Sequence, residues 1–190
     1  MRRNLITTVL YTVVTTVIFG LVYPFVVTGL AQVLFHDKAN GQLLYKNGEL
    51  VGSRIIGQPF SAPQYFHSRP SAAGNGYDAA NSSASNYGPT NKKLIDRVAG
   101  DVTALQVDHA GVDVPIDLVT ASGSGLDPDI TPAAAEFQVA RVAQERHLPE
   151  DTVRRIVLEH TQGRQLGFLG EPRVNVLLLN MDLDKLTTSR

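Results

Sequence analysis

The sequence predicts an α+β protein: a single N-terminal transmembrane helix followed by one mixed α/β soluble domain. Three observations carry that expectation. Residues 4–35 contain no charged side chain. Beyond them, apolar residues recur at helical spacing in three segments and gather into short β-rich runs elsewhere. Helical and extended segments follow one another without strict alternation or internal repeat, which favours α+β over a doubly wound sheet. The chain has 190 residues; without the anchor, the remainder is close to the commonest domain size of roughly 150. The division is therefore an anchor over 1–35, with its span at about 8–30, and a domain over 36–190.

Composition removes several classes of function. Seventeen Lys and Arg face eighteen Asp and Glu, and the basic residues are dispersed. No nucleic-acid partner is expected, and membrane lipid is met by the anchor alone. The absence of cysteine rules out disulfides, thiolate nucleophiles and Cys-based zinc sites, so stability rests on packing.

The uncharged run of about thirty residues exceeds the roughly twenty that a hydrocarbon core requires. A cleaved leader is the alternative, because Gly29, Leu30 and Ala31 offer a small-x-small site. The run is too long for a leader core, however, and Val33, Leu34 and Phe35 continue it past that site, so retention is expected. Arg2 and Arg3 precede the helix, whereas His36, Asp37 and Lys38 follow it. This asymmetry places the N-terminus in the cytoplasm and the domain outside. Thr8, Thr12, Thr16 and Gly20 recur every four residues and form a face on which a partner helix could pack; the competing reading is that such threonines bond back to their own helix. Pro24 removes one helical hydrogen bond, and Tyr23 and Phe25 fit the interface.

In the domain, Leu43, Leu44 and Tyr45 and then Leu50 and Val51 flank Asn47-Gly48, the pattern of a β-hairpin. Ile55, Ile56, Gly57 and Gln58 read as a further strand. Segment 59–89 is rich in Ser, Ala, Asn, Gly and Pro, yet it carries Phe60, Tyr65, Phe66, Tyr77 and Tyr87. Rings at such intervals pin a chain to a surface, so an ordered functional loop is predicted. Pro89 opens a helix with an apolar stripe of Leu94, Ile95, Val98, Val102 and Leu105. Ile116, Leu118 and Val119 read as a strand. Thr131 and Pro132 start the next helix as N-cap and first helical residue, with Phe137, Ala140, Val142 and Ala143 as buried positions. Pro149 starts another, with Val153, Ile156, Val157 and His160 on one face and Gly163 as its stop. The run 173–180 reads as a central strand.

No catalytic residue and no metal ligand set is predicted. The loop Ser122, Gly123, Ser124 and Gly125 has the composition of an anion cradle. It lacks the following Gly-Lys-Ser/Thr of a P-loop and fits neither a dinucleotide fingerprint nor a nucleophile elbow, so a tight structural turn is the stronger reading. Asp127 and Asp129 supply too few ligands for calcium. The five histidines show no metal-binding spacing. His67 and Arg69 stand near hydroxyls without a carboxylate or nucleophile to complete a site, and a hydrogen-bonded loop anchor is the stronger reading. On these grounds the chain is an anchored binding or assembly subunit.

A set of ordered motifs then carries a resemblance. Gly52-Ser53, Ile56-Gly57-Gln58, Phe60, Tyr65-Phe66-His67 with Arg69-Pro70-Ser71-Ala72, the stretch 117–128, Gln138 with Arg141-Val142-Ala143, and the stretch 169–177 resemble the family of C subunits of bacterial Kdp potassium-transporting ATPases. The likeness covers nearly the whole chain, anchor included. Tyr87 stands where that family tends to have Leu, and Asp129 where a His is usual, which makes both poor candidates for an essential role.

The resemblance implies a complex in the bacterial plasma membrane. A channel-like subunit selects potassium, a P-type pump subunit hydrolyses ATP with magnesium, and this subunit, with no cofactor of its own, is needed for assembly and activity. It also implies a catalytic-chaperone role that raises the pump's affinity for ATP. In one reading the outer loop with Tyr65, Phe66, His67 and Arg69 docks on the channel-like subunit, and the anchor face packs on partner helices. In the other, Ser122, Gly123, Ser124, Gly125, Asp127 and Gln138 contact ATP directly. The predicted topology conflicts with direct contact, since ATP is cytoplasmic, and makes coupling through membrane helices physically easier. An independent outer hydrolase using His67 or a loop serine ranks last, because no triad can be assembled.

Overall fold

The computed structural model describes residues 1–107, 109 and 111–188, and the chain divides into two compact units, Met1–Ser53 and Arg54–Arg190. In the first, Arg2–Leu34 forms a helix of 33 residues, long and apolar enough to cross a membrane. At about 1.5 Å per residue it measures about 50 Å, against a hydrocarbon core of about 30 Å. It comprises α1 (Arg2–Val17), a π-helical turn (Ile18–Val22) and α2 (Tyr23–Leu34), and no residue of these is buried. The π turn lies directly before Pro24. Pro24 has no N–H to give and its ring crowds the carbonyl four residues back; in the widened turn the Tyr23 N–H bonds to Ile18 O, five residues back. A short helix α3 (His36–Ala39) follows, then β1 (Leu43–Lys46) and β2 (Glu49–Ser53), paired antiparallel. Asn47 and Gly48 both take positive φ, as the tight hairpin turn requires.

The second unit has a three-stranded antiparallel sheet in the order β3 (Asp129–Ile130), β5 (Arg173–Asn175), β4 (Thr161–Gln162). Helices α5 (Pro132–Arg146), α6 (Glu150–His160) and α7 (Val176–Thr188) each pack against β5. Their shared core includes Phe66, Phe137, Val142, Val153, Val174 and Leu179. The ends of α5 follow from sequence. Thr131 Oγ1 accepts from Ala134 N at 3.1 Å, and Pro132 sits in the first turn. His147 then takes the left-handed conformation (φ 54°), and Leu148 N closes back on Ala143 O at 2.9 Å.

Several expectations are corrected. The run 173–180 is a central strand only as far as Asn175, and the chain then turns into α7. The cause is a cap: Asn175 Oδ1 accepts from Leu178 N at 3.1 Å, while Val176, Leu179 and Leu183 are buried at helical spacing. Residues 116–118 form a 3-10 turn, not a strand. Leu118 N bonds to Pro115 O at 3.0 Å and Thr120 Oγ1 to Ile116 O at 2.7 Å, which uses locally the groups a ladder would need. Residues 55–58 form no strand either. Gly57 lies so close to Asp127 that an added Cβ would stand 2.5 Å from its carbonyl oxygen. Its one backbone bond there, to Leu126 O at 2.8 Å, starts no ladder. Helix α6 stops at His160, not Gly163, because Thr161 already pairs in β4. Ala140 is exposed, and Val139, Ala134 and Ala135 are buried in its place. In α4 (Lys92–Gln106), capped by Asn91, Ile95 is exposed and the remaining stripe is only half-buried.

Candidate functional site

Segment 59–89 contains almost no regular secondary structure, so its backbone polar groups must be met by side chains. Over residues 63–67, four residues on two helices meet them. Asn180 of α7 accepts from Phe66 N at 2.9 Å and donates to Phe66 O at 3.0 Å. Gln138 of α5 accepts from His67 N at 2.8 Å and donates from Nε2 to His67 O and to Ala134 O, both at 3.1 Å. Two buried carboxamides thus hold consecutive residues as a neighbouring strand would, and the Phe66 ring fills the core between them. Arg141 donates to Pro63 O, to Tyr65 O at 3.1 Å and to Gln138 Oε1 at 2.8 Å. Arg146, with only 4% of its side chain exposed, donates to Gln64 O at 2.7 Å and pairs with Asp184 at 3.0 Å. Its guanidinium lies 5.0 Å from the centre of the Tyr65 ring.

The next stretch is tied to the loop around residue 125. Arg69 pairs with Asp127 at 3.0 Å and donates to Thr120 O at 3.3 Å. Ser71 Oγ donates to Gly125 O at 2.6 Å and accepts from Tyr77 N at 2.8 Å, while the Tyr77 hydroxyl donates to Arg69 O. Gly125 has φ 69°, and an added Cβ would lie 2.7 Å from Ala73 N. Beside these residues a cleft of about 270 Å³ is lined by Arg69, Asp117, Asp127, Asp129, Thr131 and Arg173. Asp129 there pairs with Arg173 at 3.0 Å, Glu171 with Arg164 at 2.6 Å, and Asp117 accepts from Thr131 N at 2.6 Å. Burial raises the Asp129 carboxyl above its ordinary value, against the opposing pull of Asn175 and Arg173. Burial also lowers the His67 imidazole, helped by Arg141 and opposed by its hydrogen bond with Ala62 O. Among the described residues no group of three or more His, Asp or Glu could hold a metal ion.

The residues named from sequence fall into three places. Tyr65, His67 and Arg69 lie half-buried along the held segment, while Phe66, counted with the docking loop, is a core residue facing inward. Gln138 is buried and spent on His67, Ala134 and Arg141, whereas Gly123 and Ser124 are exposed by the 71–83 stretch and Ser122 is half-buried. Thr8 Oγ1 bonds back to Asn4 O at 2.9 Å. Thr12, Thr16 and Gly20 share a face of the helix, and a Cβ on Gly20 would meet Thr16 at 3.8 Å. Sequence reasoning missed Asn180, Arg146 and Asp184, and met Arg141 only as a motif residue without a role. Asn180 had a signal, since a lone carboxamide in an apolar run must be satisfied by something.

Comparison with known proteins adds the following. The family model for the K+-transporting ATPase c chain, KdpC, matches residues 5–185. The potassium-transporting ATPase KdpC subunit of Koribacter versatilis is 67% identical over 97% of this chain and 95% of its own length. That of Acidobacterium capsulatum is 56% identical over 97% and 99%, and that of Gemmatimonas aurantiaca 54% identical over 100% and 96%.

Proposed function

The chain belongs to the KdpC family of potassium-transporting ATPase subunits, and from that premise we propose that it is a non-hydrolysing subunit whose outer domain offers a rigid docking surface. In this reading the helix crosses the bacterial plasma membrane with its N-terminus in the cytoplasm, and the domain lies outside. The face of Thr8, Thr12, Thr16 and Gly20 packs on partner membrane helices. The held segment, with Ser61, Pro63 and Tyr87 exposed along it, docks on the outer side of the channel-like subunit.

The observation that carries this reading is the treatment of residues 63–67. An irregular segment is held at every position by Asn180, Gln138, Arg141 and Arg146. Ordering a loop costs roughly 1–2 kcal/mol per residue, and prior ordering removes that cost from association. A subunit needed for assembly benefits from such a surface. The catalytic-chaperone role, a higher affinity of the pump subunit for ATP, then arises by population shift: contacts of this subunit that differ between two pump states favour the state that binds nucleotide more tightly. Direct ATP contact through Ser122, Gly123, Ser124, Gly125, Asp127 and Gln138 is the weaker reading. Gln138 has already committed its amide, and Asp127 is paired with Arg69.

The test is co-purification. Thr12→Leu with Thr16→Leu enlarges the helix face and should reduce recovery of the other subunits with this chain. Undiminished assembly and potassium transport would remove the helix-face claim.

A further inference from the structure

Between β4 and β5 the chain makes a narrow turn whose tip is apolar. Gln165 N to Leu169 O and Leu169 N to Gln165 O both measure 2.9 Å, and Phe168 N reaches Gln165 O at 3.2 Å. Arg164 and Glu171 brace the base at 2.6 Å. The backbone of the tip is hydrogen-bonded across the turn, yet it points its large side chains to solvent: Leu166 is 82% exposed, Phe168 69%, and Leu169 is exposed beside them.

Leu166 has φ 53° and Gly167 φ 82°. A left-handed pair of this kind is ordinarily Asn-Gly or Asp-Gly, because a bulky side chain is strained there. Turn chemistry therefore does not account for a leucine at 166. Nor does core packing, since the side chain is almost wholly solvent-facing. A strained, exposed apolar residue on a braced turn is explained by something outside this domain.

We infer that the 166–169 tip is a plug that inserts into an apolar recess on the outer face of a companion subunit of the potassium-transporting ATPase. The inference rests on the outside location and docking role proposed above. Charge favours a protein over a lipid surface. Recruitment to anionic lipid depends on unbalanced Lys and Arg near the inserting side chains, and here Arg164 is matched by Glu171 and Arg173 by Asp129. The neutral base and two large exposed side chains have the character of an anchor with a polar rim at a protein interface.

The experiment uses the whole complex in its native membrane. A photoreactive phenylalanine derivative at position 168 should crosslink to a companion subunit on illumination, whereas the same group at Leu158, which is exposed on α6, should not. Phe168→Asp should lower recovery of companion subunits roughly tenfold or more. Leu166→Asn separates docking from folding, because it supplies the residue the turn favours while removing the plug: recovery should fall while the melting temperature holds or rises. Crosslinking only to lipid or to a second copy of this chain, or undiminished recovery with both variants, would overturn the plug and leave the docking role intact. Failure of the unaltered chain to bring down any companion subunit would remove both.

Discussion

Asn180 meets both backbone polar groups of Phe66, accepting from its N–H at 2.9 Å and donating to its carbonyl at 3.0 Å, from a side chain that is 1% exposed. The bond pair fixes an irregular segment to α7 at the point where the fully buried Phe66 ring enters the core. Asn180→Leu fills the volume but leaves two buried backbone groups without partners, at about 2–4 kcal/mol. Thermal unfolding of the detergent-solubilised chain measures this, and a loss below about 1 kcal/mol would show that the segment finds other partners. Asn180→Asp should also destabilise, because a carboxylate cannot donate to Phe66 O.

The Arg146 pair with Asp184 is the second support. Its guanidinium is almost fully buried and also serves Gln64 O and the Tyr65 ring. Arg146→Ala should cost about 1–3 kcal/mol, since it removes the cation paired with Asp184 and frees the Gln64 carbonyl. Arg146→Lys should recover less than half of that, because one ammonium cannot reproduce the planar fork. Full rescue by lysine would show that charge alone is required.

Much of this architecture is legible in sequence where the signal is local. Asn47-Gly48 announces the hairpin, Thr131 and Pro132 start α5, and the uncharged run gives the anchor helix. What is not legible depends on long-range partners. The apolar residues 176–179 suit a strand or a helix equally, and the capping bond from Leu178 N to Asn175, with Val176, Leu179 and Leu183 buried on one face, decides for a helix. Ile55 and Ile56 have strand character, but Gly57 is packed against the Asp127 backbone, where no ladder forms. Gln138 attracts attention as a polar residue in a motif, yet its role appears only when His67, 71 positions away, lies beside it.

Stability should depend on pH through His67. Burial first, and then Arg141, hold its pKa below the ordinary value of 6.5, so the folded chain favours the neutral ring. The stability tied to that preference is fully present above 6.5 and is lost as pH falls through the depressed folded value. His67→Gln should therefore flatten the fall in melting temperature between neutral and mildly acidic pH. An unchanged slope would place the acid sensitivity elsewhere.

Two glycines in the loop region should prove intolerant for different reasons. Gly125→Ala meets Ala73 N at 2.7 Å and must hold φ 69°, while Gly57→Ala meets Asp127 O at 2.5 Å. Each should cost more than about 1 kcal/mol. Gly123→Ala, which meets nothing within 4 Å, should be near neutral. Equal effects at the three positions would contradict the close packing of segment 54–83 on the 122–127 loop.

The proposed outside location of the domain underlies both the proposed docking role and the proposed indirect effect on ATP affinity, and one measurement tests it most directly. The chain has no cysteine and Ser124 is exposed, so Ser124→Cys gives a single thiol for a membrane-impermeant maleimide in intact spheroplasts carrying the complex. Labelling in intact cells is the predicted result and confines any influence on ATP to coupling through the membrane helices. Labelling only after lysis would contradict the account, place the domain in the cytoplasm and restore direct nucleotide contact.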